Sequence, residues 1–139
     1  AATLAGLAFA NSGVALVHAL QAAVGGATHS AHGAGNGLLL PHLMRFNLPS
    51  CQAKTARIAG LLGCDIGGLS EEAAAVLAIE TVQQLARKIG IPQQLREFGL
   101  NADQIPSVAK KAYLAKRILR VNPRQVSLQD MQEILRAAQ

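Results

Sequence analysis

Tryptophan is absent from this chain, and one tyrosine and three phenylalanines are its only aromatic residues. Half of the residues are nevertheless apolar. Ala, Leu, Val and Ile must therefore do the packing, which suits closely packed helices better than sheets. So few aromatics also leave little with which to stack nucleobases. Cysteine is nearly missing: Cys51 and Cys64 form no Cys-x-x-Cys pattern and are expected as free thiols of a reducing cytosol. Charge is missing from one region altogether, because no Asp, Glu, Lys or Arg precedes Arg45. Such a stretch is buried either in protein or in lipid. Asn11, Ser12, His18 and Gln21 interrupt it and leave no run of about 18 apolar residues, so burial of residues 1–24 in protein is expected and a membrane partner is not. No signal-peptide pattern opens the chain, which starts Ala1-Ala2 without an initiator Met, as a piece of a longer protein would. A strand-borne Gly-x-Gly-x-x-Gly and a phosphate loop are also lacking, since Gly33, Gly35 and Gly37 follow no strand.

The 139 residues fit one domain, and their patterning is helical throughout. Ala2 to Ala10 reads as a helix of small residues that weakens at Asn11-Ser12-Gly13. A second helix, from about Val14, is apolar nearly all round and is expected to stop after Val24 at Gly25-Gly26. The Gly-, Ser- and His-rich segment up to Gly37 reads as a loop, and Pro41 as a residue near the next helix start. Residues 52–62 form a short helix closed by Gly63. Ser70 caps a longer one, with Glu71 and Glu72 in its first turn and Ala75, Ala78, Ile79, Val82, Leu85, Ala86 and Ile89 at i, i+3, i+4, i+7 spacing, as far as Gly90. A short helix after Ile91-Pro92 ends near Gly99. Asn101 to Gln104 resembles a capping box before a helix over Ile105 to Arg120, and the last helix begins at Ser127 with Met131, Ile134, Leu135 and Ala138 inside. These elements predict an all-α, bundle-like domain.

The net charge of +5 is concentrated in one place. Lys110, Lys111, Lys116, Arg117, Arg120 and Arg124 run without an intervening acid, and helical spacing places 110, 117 and 124 on one stripe. We read this as a solvated face, with no nucleic-acid partner expected. Coordination chemistry has only the histidines to draw on: His18, His29, His32 and His42. Neutral imidazole suits Fe and Zn. No carboxylate lies within residues 1–44, so a site of two His and one carboxylate cannot close there, and a lone His in an apolar helix is commonly a core residue with a hydrogen-bond partner.

The run Gly6-Leu7-Ala8-Phe9-Ala10-Asn11-Ser12-Gly13, then Leu16-Val17-His18-Ala19-Leu20, Gly25-Gly26, His32-Gly33 with Asn36, and Leu39-Leu40-Pro41-His42-Leu43-Met44-Arg45-Phe46-Asn47 resembles the signature region of the iron-containing (group III) alcohol dehydrogenases. Ile89-Gly90-Ile91-Pro92 and Asn122-Pro123-Arg124 agree, so the resemblance spans the chain in order. It implies the helical C-terminal domain of such an enzyme, preceded by a dinucleotide-binding domain, with one divalent metal in the cleft between them. Three His and an Asp hold that metal in the family. His18 and His32 match the last two His, and the remaining two ligands would lie upstream of Ala1. The implied cofactors are Fe2+, with Zn2+ as the alternative, and NAD or NADP. The implied substrate is a small alcohol or aldehyde, and homo-oligomerisation is open. Phe9, inside the signature, is the candidate for lining the substrate pocket, against plain core packing. The chain alone is expected to be inactive. The sequence departs from the family at Ala22, where many relatives carry a second His one turn after His18, at Ser30-Ala31, where Val-Pro is usual, and at Lys116, where Asp is common. A free-standing helical module for assembly or ligand binding, without catalysis, is the alternative reading.

Overall fold

Ser70 shows how local chemistry sets the elements. Its hydroxyl accepts a hydrogen bond from the Ala73 N–H, Glu71 and Glu72 follow in the first turn, and Arg87 and Lys88 close the last, complementing the helix dipole at both ends. The computed structural model describes residues 1–139 and contains helices and no strand. In chain order these are α1 (Ala2–Ser12), α2 (Leu16–Thr28), α3 (His32–Leu61), α4 (Glu71–Lys88), two 3-10 turns at Leu95–Phe98 and Ala102–Gln104, α5 (Ile105–Tyr113), α6 (Lys116–Leu119) and α7 (Leu128–Ala137). The all-α expectation holds.

Helix α2 lies between α3 and α5, and α7 packs on α5. One core joins them: Leu16, Leu20 and Val24 of α2 meet Leu38, Leu39 and Leu43 of α3, Ile105, Val108 and Ala112 of α5, and Met131, Ile134 and Leu135 of α7. Leu95 and Leu100, on and after the first 3-10 turn, are fully buried in it. The second half of α3 packs separately on α4 through Ala56, Ala74 and Ala75. Aliphatic side chains and alanines carry this packing, as the scarcity of aromatics requires.

Several boundaries differ from the sequence reading. Helix α2 runs through Gly25-Gly26 to Thr28 and stops only where His29 turns left-handed at φ 57°. Residues 32–37 are not a loop, because α3 already begins at His32. Their glycines lie at helix contacts: a Cβ on Gly37 would press on the Ile91 side chain at 3.3 Å, and one on Gly35 would enter the Gln21 carboxamide. Pro41 lies inside α3, which passes Pro49 and kinks at Cys51 (φ −147°, ψ 28°) instead of ending. The helix from Ile105 stops at Tyr113, so the six basic residues share no continuous stripe. Lys116 instead folds its ammonium over the Tyr113 ring, 3.0 Å from the centroid.

Burial of residues 1–24 holds only from Leu16. Helix α1 has no buried residue, and Leu4, Leu7 and Phe9 are 72, 58 and 56 % exposed. Its composition is that of a covered helix, but no element of this chain covers it. No single helix is long and apolar enough to cross a membrane.

Candidate metal centre

Helix α2 carries His18 half-buried beside the buried row Leu16, Ala19 and Leu20. Its turn at His29 then sends the chain back, and α3 opens on His32. The two rings meet across this turn, with centroids 5.4 Å apart and planes tilted by 51°. His18 Nδ1 is buried and has no hydrogen-bond partner. The alternative in which this ring is satisfied by a nearby polar group therefore does not account for that nitrogen. His32 is exposed, and its Nε2 lies 2.9 Å from the Asn36 side-chain amide one turn along α3. With the otherwise unpartnered Asn36 Oδ1 turned to accept from Nε2–H, the amide orients the ring and leaves the Nδ1 lone pair free, as partners behind metal-binding imidazoles do. Burial, and after it the neighbouring His32, hold the His18 pKa below the ordinary histidine value. A neutral ring with an uncommitted lone pair is the ligand form of histidine.

The other two histidines do not join this pair. His29 is the exposed left-handed residue that ends α2. His42 lines a groove of about 250 Å3 between α3 and α7 with Arg45, Phe46, Glu133, Ile134 and Ala137, and burial, then the Arg45 charge, lowers its pKa. Phe9 stands exposed on α1. Cys51 and Cys64 are free thiols, held by Asn47 O at 3.2 Å and near Thr81 Oγ1 at 3.2 Å. No group of three or more His, Cys, Asp or Glu converges within this chain. The donors present fit part of a divalent-ion site: two neighbouring imidazoles, one with an unpartnered nitrogen, and no carboxylate.

Ala22, one turn past His18, is exposed and opens into a groove of about 280 Å3 along α2, lined also by Ala19, Ala23, Gly26, Lys111 and Ala115. No proton-carrying side chain stands at that turn of α2. The largest groove, about 360 Å3, lies elsewhere, between the end of α1 and Arg117 and Arg120.

Sequence reasoning gave no purpose to two features. Gln21 interrupts the apolar run in the sequence, yet it is 1 % exposed at the contact of α2 with α3. Asn47 and Asn122 belong to two separate pieces of the family resemblance, far apart in sequence. They exchange a reciprocal amide pair at 3.1 and 2.8 Å across 75 residues of chain. Arg124 completes that clasp by donating to Phe46 O at 2.8 Å while stacking 4.2 Å over the Phe46 ring.

Comparison with known proteins gives these features a frame. The family model described as the C-terminal part of the Fe-containing alcohol dehydrogenases matches residues 1–139. The chain is 37 % identical over 135 residues to the lactaldehyde reductase of Escherichia coli K12, covering 97 % of this chain and 35 % of that protein. It is 40 % identical over 138 residues to the 1,3-propanediol dehydrogenase of Klebsiella pneumoniae, covering 99 % and 35 %. A crystal structure of a 1,3-propanediol oxidoreductase superposes with a TM-score of 0.94 at 40 % identity, over 98 % of this chain and 35 % of that one. The chain thus spans about a third of the length of the curated relatives it matches. Its helical order, its sequence and the whole length of its match agree: the chain belongs to the iron-containing alcohol dehydrogenase family, as the family's C-terminal domain.

Proposed function

We propose that this domain works as part of a metal-dependent, NAD(P)-linked alcohol dehydrogenase, in which His18 and His32 supply two of the ligands of a divalent ion, Fe2+ or Zn2+. The observation that carries the reading is the meeting of the two rings, 5.4 Å between centroids, with a buried His18 nitrogen that nothing else engages. Burial disfavours the charged form of His18, which keeps its lone pair free for a cation at neutral pH. Asn36 holds the His32 ring from behind. The remaining ligands, an Asp and a His, and the dinucleotide site would come from sequence N-terminal to residue 1. Held by these residues, such an ion would supply Lewis-acid chemistry toward an alcohol or carbonyl oxygen, and the nicotinamide would supply hydride chemistry.

This chain's own contribution is orientation and shape. The small side chains of Ala19, Ala22 and Ala23 leave a groove along α2 that Lys111 and Ala115 also line, so a small alcohol or aldehyde entering it would meet methyl groups and the Lys111 side chain. Ala22 carries no titratable group, so no proton is relayed through that turn of α2. Phe9, exposed on α1, is the residue we assign to the substrate cleft wall. The test is metal content. In the full-length protein, His18→Ala and His32→Ala should each abolish retention of divalent metal after gel filtration, measured by elemental analysis, together with metal-dependent oxidation of short-chain alcohols. Metal retained at wild-type stoichiometry by both variants would refute the assignment.

A further inference from the structure

Only two polar side chains of this domain are buried, Thr55 and Gln21. Thr55 is accounted for, since its hydroxyl donates to Cys51 O at the kink of α3. Gln21 is not: its Oε1 is buried without a partner. The carboxamide lies against Gly35 of α3, where a Cβ would overlap Oε1 and Cδ and stand 2.7 Å from Nε2. On its other side it lies along Gly25 of α2, where a Cβ would stand 3.0 Å from Nε2. A glycine inside a helix and a buried amide oxygen without a donor are each unfavourable alone. Here they occupy the same space, the one filling the notch the other leaves.

The register gives this pairing a consequence. Gln21 lies three residues after His18, and Gly35 three residues after His32. The notch is therefore one helical turn from each imidazole, on the two helices that carry them. The distance at which α3 seats on α2 at Gly35 sets the distance at which the two rings meet. We propose that Gln21 and Gly35 are positioning residues for the His18–His32 pair, holding the two helices at the separation a shared divalent ion requires. The proposal deepens the metal reading above and rests on it. A methyl group at position 35 must push α3 away from α2 or displace the carboxamide, and either moves His32 relative to His18. Removing the carboxamide at the same time makes room for that methyl group.

The experiment uses the full-length protein, stripped of metal and titrated with Co(II), with the visible Co(II) absorption reporting geometry and chelator competition reporting affinity. Gly35→Ala should weaken Co(II) binding by about 10–100-fold and alter the absorption bands, the range seen when support behind metal ligands is lost. Gln21→Ala combined with Gly35→Ala should fold and recover both affinity and spectrum, although it carries the same methyl group. A purely structural role would change thermal stability and leave the Co(II) spectrum of the folded variants unmoved. The positioning role is overturned if Gly35→Ala binds Co(II) as the wild type does. It is equally overturned if the double variant does not fold, or folds and binds as weakly as Gly35→Ala. His18→Ala separates the two levels. Wild-type Co(II) binding in that variant would defeat the metal pair itself, whereas binding that needs His18 but ignores position 35 would defeat only the positioning.

Discussion

The clasp between α3 and the segment before α7 lends itself to a quantitative test. Asn122 makes three hydrogen bonds: it accepts from Asn47 Nδ2 at 3.1 Å, donates to Asn47 Oδ1 at 2.8 Å, and donates to Arg124 O at 2.6 Å. The site is half-buried, so each bond contributes roughly 0.5–1.5 kcal/mol net, and Asn122→Ala should cost about 2–3 kcal/mol. Asn47→Ala removes only the two reciprocal bonds and should cost about 2 kcal/mol, part of it from the Asn122 amide left unpaired. Those two bonds are lost in either single variant but can be lost only once in the double variant. The costs should therefore fall short of additive by about 1–2 kcal/mol. Urea unfolding of the full-length protein, followed by far-ultraviolet circular dichroism for wild type, both single variants and the double variant, gives this coupling directly. Additivity within about 0.5 kcal/mol would show that the pair contributes no interaction energy and would refute the argument. Arg124→Lys sharpens the test, because an ammonium cannot both reach Phe46 O and lie flat on the Phe46 ring as the guanidinium does.

The capping box of α7 should be pH-dependent. The Ser127 hydroxyl and N–H both donate to Asp130 and hold its carboxyl below the ordinary value of 3.8. The stability this adds is complete above that ordinary value and is lost as pH falls through the lower folded one. The difference in thermal midpoint between wild type and Asp130→Ala should therefore shrink on strong acidification, and a difference that widens would contradict the linkage. Ser127→Ala should cost about 1 kcal/mol at neutral pH and speed amide exchange in the first turn of α7. His42, held neutral by burial and by Arg45, has a folded pKa below 6.5, so it contributes stability above pH 6.5 that is lost as pH falls towards its folded pKa. His42→Gln should flatten the stability profile over that window and leave metal content unchanged, and loss of metal in this variant would place His42 at the centre instead. Residues 1–139 expressed alone should bind a hydrophobic dye or self-associate through the exposed Leu4, Leu7 and Phe9 of α1 and should not oxidise alcohols. A dye-silent monomer would count against that reading of α1.

Where a signal depended on one helix and its own neighbours in sequence, it was legible. Ser70 with Glu71 and Glu72, the stop at Gly90, the box at Asn101 and the inner face of α7 all rest on spacing within a turn or two, and the structure places each as its spacing implies. The apolar content of residues 1–24 was legible as composition but not as burial, because a helix such as α1 becomes a core helix only when something packs on it. His18 and His32 stood out through a family resemblance. Their types and separation alone left a core histidine and a glycine-loop histidine as good readings.

The glycines show why the rest was hidden. In sequence, Gly25-Gly26 reads as a helix stop and Gly33, Gly35 and Gly37 as part of a loop, since glycine is costly in a helix interior and cheap in a turn. In this domain both groups lie within helices, and the turn is made instead by His29, a residue that tolerates the left-handed region only moderately. What tips the balance is a partner on another element. Gly35 gives way to the Gln21 carboxamide and Gly37 to Ile91, so the propensity lost in α3 is exchanged for close approach to α2 and to the segment after α4. A propensity scale sees the loss but not the partner, because the partner is identified only once the chain has folded back on itself. The same reasoning marks the Gln21–Gly35 contact as more than packing. Helix propensity would favour alanine at position 35 and solvation would favour an exposed amide at position 21. Both preferences are overridden one turn from the two imidazoles we propose as ligands.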